Sequence, residues 1–349
     1  MTTTTFPRIT IGLDLGDSRS TFCVLDRGGA VIERRTTPTT RAALREVCGR
    51  YPRARVVVEV GTHSPWVSRL LGELGHDVVV ANARKVKAVS AATLKSDPVD
   101  AETLARLGRA DRALLAPITH RGAAAQLALA HLRARDAVVR ARTLLINHVQ
   151  GALKTLGEPL PKAVTSRAFA RKVSAGLPAA LRPALERALD AIAALTTAIA
   201  GYDRDLNAVA RTQYPETARL RQVAGVGPLT ALCYVLTLED PHRFRTGRSV
   251  GAYLGLVPRR AQSGGRDPQL RITKAGDAVL RRLLVTAAHY VLGPFGPPCD
   301  LRRWGESLMQ RGGTNAKKRA VVAVARKLAG VLHRLWVTGA VYEPVRAIA

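Results

Sequence analysis

The sequence predicts an α/β domain with a mixed sheet at its N-terminus, followed by a mostly helical remainder, and three observations carry that prediction. Residues 8–36 hold three β-branched or apolar runs joined by short turns. Residues 54–116 alternate strand-like runs with helically spaced ones, and beyond 117 helical spacing prevails. With 349 residues the chain is long enough for two or three compact units, predicted at 1–116, 117–212 and 213–349.

The first runs, RITIGLDLG, STFCVLD and AVIERRT, are separated by Asp17-Ser18 and Arg27-Gly28-Gly29 and read as an antiparallel meander. A helix near 42–50 leads to ARVVVEV at 54–60, a run apolar enough for burial on both sheet faces. A helix near 65–74, the strand HDVVVAN, and the helical stretches ARKVKAVSAATLK and DPVDAETLARLGRAD complete the alternation. Meander strands followed by alternating helix and strand give the order of the ribonuclease-H-like fold. The Ala- and Leu-rich segments at 123–153 and 183–206 predict two long helices separated by GEPLPK, either an antiparallel hairpin or a dimerising coiled coil.

Lys and Arg number 54 against 26 Asp and Glu, a formal net charge of +28, so a polyanionic partner is expected. The charge is uneven: residues 1–115 carry 18 basic and 12 acidic side chains, and the rest 36 against 14. Aromatic residues make up only 4%, so phosphate contacts rather than base stacking should dominate nucleic-acid binding. A membrane-surface role would need an anchor that MTTTTFPRITIG does not offer, and neither a signal peptide nor an apolar run of about 18 residues occurs, which predicts a cytoplasmic protein without membrane partners. Cys23, Cys48, Cys233 and Cys299 form no CxxC pair and read as reduced, buried thiols.

Four carboxylates form the first chemical constellation: Asp14 in the first strand, Glu59 at the end of the fourth, and Asp97 and Asp100 in KSDPVDAETLARL. Gathered together they would repel unless divalent cations neutralised them, and oxygen donors suit magnesium or manganese. Paired cations of that kind serve phosphodiester chemistry. Each acid also has a plain reading. Asp97, Pro98 and Asp100 resemble an N-cap, a first-turn proline and an acidic third residue. Asp14 in GLDLGDSRS could belong to the phosphate loop of an actin-like ATPase, although no second Asp-Gly-Gly loop follows. Glu59 between valines argues hardest for a partner, because unpaired burial of a carboxylate is expensive.

Two further features lie in the C-terminal third. LRQVAGVGPLTA at 220–231, with Gly225 and Gly227, reads either as a helix-hairpin-helix gripping DNA phosphates or as a plain turn between packed helices. In YLGLVPRRAQSGGRDPQLRITKAGDAVLRRLL, Ser263 sits on Gly-rich backbone among Arg259, Arg260, Arg266, Lys274, Arg281 and Arg282. Such cations could stabilise charge developing as a serine attacks phosphorus, and a Ser-Gly turn of no chemical consequence is the alternative.

Taken together, GLDLG, VVVEVGTHSPW, KSDPVDAETLA, VAGVGPLTA, YLGLVPRRAQSGG and ITKAGDAVLRRLL resemble the DEDD-serine transposases of insertion sequences, the IS-one-ten and IS-eleven-eleven families. The likeness runs through nearly the whole chain. It implies a RuvC-like domain, a coiled-coil segment and a C-terminal transposase domain, assembled as a dimer of dimers on donor and target DNA duplexes. It further implies that Asp14, Glu59, Asp97 and Asp100 bind magnesium while Ser263 forms a covalent phosphoserine link. A structured bridge RNA would choose the sites by base pairing, and the protein would be nucleoid-associated when bound to DNA. One departure is Asp277, where the family more often has asparagine. Alternatives are a RuvC-like nuclease or junction resolvase with a structural serine, and a non-catalytic nucleic-acid-binding protein.

Overall fold

The computed structural model describes residues 9–83, 96–160, 164–268 and 270–345. It divides into two compact units, Met1–Arg121 and Gly122–Ala349. The first is built on a five-stranded sheet of order β3-β2-β1-β4-β5, from β1 (Thr10–Asp14), β2 (Arg19–Leu25), β3 (Val31–Pro38), β4 (Arg55–Glu59) and β5 (Asp77–Ala81). β1–β3 form the antiparallel meander, and β4 and β5 add in parallel to β1. The expected mixed α/β domain is therefore present. Apart from Ala83, the stretch ARKVKAVSAATLK lies outside the described residues.

Period-two alternation decides what each sheet face buries. Ile11, Leu13, Val56 and Val58 pack with Leu44 and Val47 of α1 (Arg41–Gly49) and Val67, Leu70 and Leu71 of α2 (Ser64–Glu73). The opposite face is covered by α3 (Asp97–Ala110), with Ala101 and Ala105 against Cys23 and Leu25, and Leu104 against Val57, Val79 and Ala81. Burial of Val56, Val57 and Val58 to 0% exposure explains the unbroken valine run.

α3 lies so close to β1 that a Cβ on Gly12 would fall 2.0 Å from the Ala101 carbonyl oxygen and 2.5 Å from the Ala105 nitrogen. Its far end is fixed by Arg55, which donates to the Gly108 carbonyl at 3.1 Å, and by Arg109, which donates to the Arg27 carbonyl at 2.7 Å. Ala101 thus lies over mid-β1 while Gly108 lies near the start of β4. The helix runs antiparallel to β1 and β4, and its N-terminus lies where those strands end.

The second unit is helical, as expected. α4 (Ala123–Thr155) and α6 (Arg182–Gln213) pair as an antiparallel hairpin. The C-terminal half of α4 joins α5 (Phe169–Ala175) and the start of α6 in one core, containing Val149, Phe169, Leu189 and Ile192. The N-terminal half of α4 joins the end of α6 in a larger core. At its centre is α8 (Pro228–Leu238), buried from Thr230 through Leu238. α7 (Thr217–Leu220), α9 (Gly247–Tyr253), α10 (Ala278–Leu292), α11 (Asp300–Gln310) and α12 (Ala316–Thr338) complete the unit. Tyr234 donates its hydroxyl to the Ala329 carbonyl at 2.7 Å, tying α8 to α12. Among the described residues no helix is long and apolar enough to cross a membrane.

Replacing Gly12 by alanine forces α3 off the sheet, because the neighbours of the new Cβ are backbone atoms that cannot rotate away. We expect G12A to cost at least about 3 kcal/mol, read as a lowered urea midpoint of the first unit.

Candidate active site and nucleic-acid interface

Asp14 and Glu59 end neighbouring parallel strands. The ladder pairs Leu13 with Val58, so the two acids occupy the next rung, on strands about 4.8 Å apart. Asp14 is two residues beyond Gly12, and Glu59 two beyond Val57, so both belong to the face that α3 covers. On α3, Asp97 and Asp100 precede the buried Ala101 and Leu104 by one turn each, extending the helix's sheet-facing stripe past the end of the strands. The four acids therefore share one end and one face of the first unit. Among the described residues, no three His, Cys, Asp or Glu side chains stand close enough to hold a metal ion. The donor chemistry and shared placement fit a divalent cation, and the side chains as placed do not close around one.

Two sequence expectations need correction. Glu59 is only partly buried at the end of β4, whereas Val56, Val57 and Val58 are fully enclosed; complete burial is therefore no argument for a partner at this position. Asp97 is not the N-cap of α3. Ser96 occupies that position in extended conformation without a side-chain capping bond, and both Asp97 and Asp100 lie in the first turn, where their charge complements the helix dipole.

The turn after Glu59 contains groups the sequence reading did not single out. Ser64 is fully buried, donates its hydroxyl to the Gly61 carbonyl at 2.8 Å, and accepts from the Gly61 amide at 3.0 Å. His120 Nε2 meets the same oxygen at 2.9 Å and, with the serine proton committed, acts as the donor. Nothing local to Ser64 in sequence points to a histidine 56 residues away. Burial foremost, with Arg69 and Arg121 nearby, holds the His120 pKa below the ordinary histidine range, and burial does the same at His76.

Ser263 lies in an exposed hairpin arm of the second unit. Its amide donates to the Arg266 carbonyl at 3.2 Å and the return bond measures 3.1 Å, closing a two-residue turn in which Gly264 adopts φ 56°. The serine thus sits on a tight Ser-Gly turn closed by backbone hydrogen bonds. Further down the arm Arg259 bonds to Arg271 and Thr273 to Val257. Arg259, Arg260 and Arg266 are exposed along it, with Arg260 4.0 Å from Asp267. Lys274 is exposed at its base, with φ 54°.

The remaining candidates separate. Arg281 donates to the carbonyls of Leu254 at 3.0 Å and Ala275 at 2.7 Å, and burial lowers its pKa; it holds the base of the arm in place and is not a free phosphate ligand. Arg282 pairs with Asp136 of α4. Asp277 caps α10 through the Leu280 amide at 2.9 Å, which an asparagine would do equally well. Gly225 has φ 83°, and a Cβ there would fall 2.9 Å from the Ala287 carbonyl oxygen, so helix packing alone accounts for it. Gly227 is exposed at the start of α8. The helix preceding this turn, α7, is a single turn of four residues.

Comparison with known proteins decides the family. Residues 217–299 match the family model described as Transposase IS116/IS110/IS902 family, and residues 11–157 match a DEDD transposase model of the IS110 type. The chain is 32% identical to a probable family 20 transposase of Pseudomonas aeruginosa, over 96% of this chain and 98% of that one. It belongs to this transposase family. It is also 30% identical to the transposase for insertion sequence element IS1111A of Coxiella burnetii, covering 93% of this chain and 88% of the relative. Likeness to the transposase for IS1328 of Yersinia enterocolitica reaches 28% over 97% and 99%. The two matched spans contain the four acids and Ser263 respectively. The transposase is accordingly a DNA-recombining enzyme, and its family suggests dependence on a divalent metal.

Because the unfolded chain binds protons at His76 and His120 at higher pH than the folded chain, stability is full above about 6.5. It falls as pH drops from there toward the lowered folded values, so melting temperatures between pH 8 and 5 should decline, and less steeply in H76F. Arg281→Ala should cost about 2 kcal/mol of stability by stranding two carbonyls. Arg266→Ala should leave the melt unchanged and reduce the salt slope of DNA binding by about 1.

Proposed function

We propose that the transposase cuts and rejoins DNA through a composite site, with Asp14, Glu59, Asp97 and Asp100 holding magnesium or manganese and Ser263 acting as nucleophile. The observation supporting this reading is the placement of the four acids at one end and on one face of the first unit. Once bound there, divalent cations supply charge neutralisation at the reacting phosphate. Asp14 and Glu59 hold their places through the strand ladder, and Asp97 and Asp100 through the seat of α3.

Ser263 Oγ attacks phosphorus. An Oγ–P bond forms, one bridging P–O bond of the strand breaks, and the proton lost by the serine is balanced by the one gained by the departing deoxyribose oxygen. A hydroxyl from the exchanged strand reverses the step and restores the serine, with no net change in phosphodiester number. Arg259, Arg260 and Arg266, exposed on the same arm, counter the charge developing on the phosphate. Gly227, Lys274 and Arg282 belong in this reading to the duplex-binding surface, Gly225 only shapes the turn before Gly227, and Arg281 supports the serine arm from beneath. Recombination uses donor and target duplexes selected by a structured bridge RNA, in a dimer of dimers whose α4–α6 hairpins supply a coiled-coil seam. Strong basicity and scarce aromatics accord with backbone-gripping recognition of that kind.

S263A and alanine at any of the four acids should each abolish recombination of a plasmid substrate, and a chelator should do so reversibly. On a nicked trapping substrate the wild type should yield a protein–DNA adduct that S263A lacks. Strand cleavage by S263A at the wild-type rate would instead identify a metal-dependent nuclease or junction resolvase with a structural serine.

A further inference from the structure

Phe295 is the most exposed large apolar side chain among the described residues, at 83%. Phe22 and Phe169 are buried, and Phe244 meets Tyr253 and His333 edge-to-face. Phe295 occupies Gly-Pro-Phe-Gly-Pro-Pro, residues 293–298, between α10 and α11. That loop is held tightly. The Gly293 amide donates to the Tyr290 carbonyl at 3.1 Å and the Gly296 amide to the Gly293 carbonyl at 3.2 Å. Arg302 reaches back from α11 to the carbonyls of both Gly293, at 3.0 Å, and Gly296. A Cβ on Gly296 would fall 2.3 Å from the Val291 carbonyl oxygen, so the loop is pressed against the end of α10.

A ring displayed on such a support loses little further entropy when it is covered. Tyr290, 46% exposed in the last turn of α10, adds a second aromatic face and packs against Gly225 of the VAGVG turn. The chain then enters residues 300–330, which carry eight Lys and Arg against two acids. An apolar ring beside a strongly basic segment matches the two halves of an unpaired nucleotide, a stackable base and a charged backbone.

We propose that Phe295 stacks on an unpaired base of the DNA substrate, exposed when strands are opened for exchange. This inference rests on the reading of the protein as a DNA recombinase. It gives the protein a base contact that its overall composition argues against, supplied by one rigidly mounted side chain.

The test is equilibrium binding of the full chain, without divalent metal, to a labelled single strand, the matching duplex, and a single strand of abasic sites. F295A should bind the single strand at least about five-fold more weakly, the change expected for loss of a stack of about 1 kcal/mol. Its affinity for the duplex and the abasic strand should match the wild type, and F295W should restore single-strand binding. Equal weakening on all three, or none on the single strand, overturns the proposal. So does a fall in assembly mass by light scattering with single-strand affinity intact, which would give the ring to a protein contact. Failure of the wild type to bind any DNA would instead remove the recombinase reading beneath it.

Discussion

Helix α3 meets β1 with no side chain between them, and the arrangement of the first unit depends on that contact. A glycine in the strand and alanines in the helix let the two backbones approach within van der Waals range. Arg55 and Arg109 anchor the far end of the helix to the sheet's opposite margin. A helix so seated has no freedom to slide, and its first turn is delivered to the end of the sheet where β1 and β4 finish. Two acids from strands and two from a helix thereby share a region although 86 residues separate the first from the last.

In the second unit, charge has two separate uses. A chain of net charge +28 has many arginines that could face nucleic acid, and several of them are instead structural bolts. Arg281 satisfies two carbonyls at the base of the serine arm, Arg302 two carbonyls of the Phe295 loop, and Arg135 pairs with Asp203 across the long helical hairpin. A guanidinium can do this because its fork of donors answers several acceptors at once. Arg259, Arg260 and Arg266, by contrast, are exposed on the arm that carries the serine. The arm itself presents Ser263 by backbone pairing across a tight turn, leaving the hydroxyl free of any role in holding the turn together.

The sequence by itself determined the described strands and helices of the first unit to within about two residues, because strand alternation and the buried valine run are local patterns that burial enforces. It also determined the helical nature of the remainder, the polyanionic partner and, through motif order, the family. The tertiary structure decided what periodicity cannot encode. Glu59 is only partly buried although valines flank it on both sides in sequence. Asp97 belongs to the first turn because Ser96 takes the cap. His120 reaches Ser64 only through the fold. Arg281 and its neighbour Arg282 look alike in sequence and differ in their partners, one holding backbone carbonyls and the other a carboxylate on α4. Phe295 is exposed because its loop is pinned from α11. His120 and the two arginines depend on groups far apart in the chain, which only packing brings together; the cap and the loop depend on local backbone geometry that periodicity does not record.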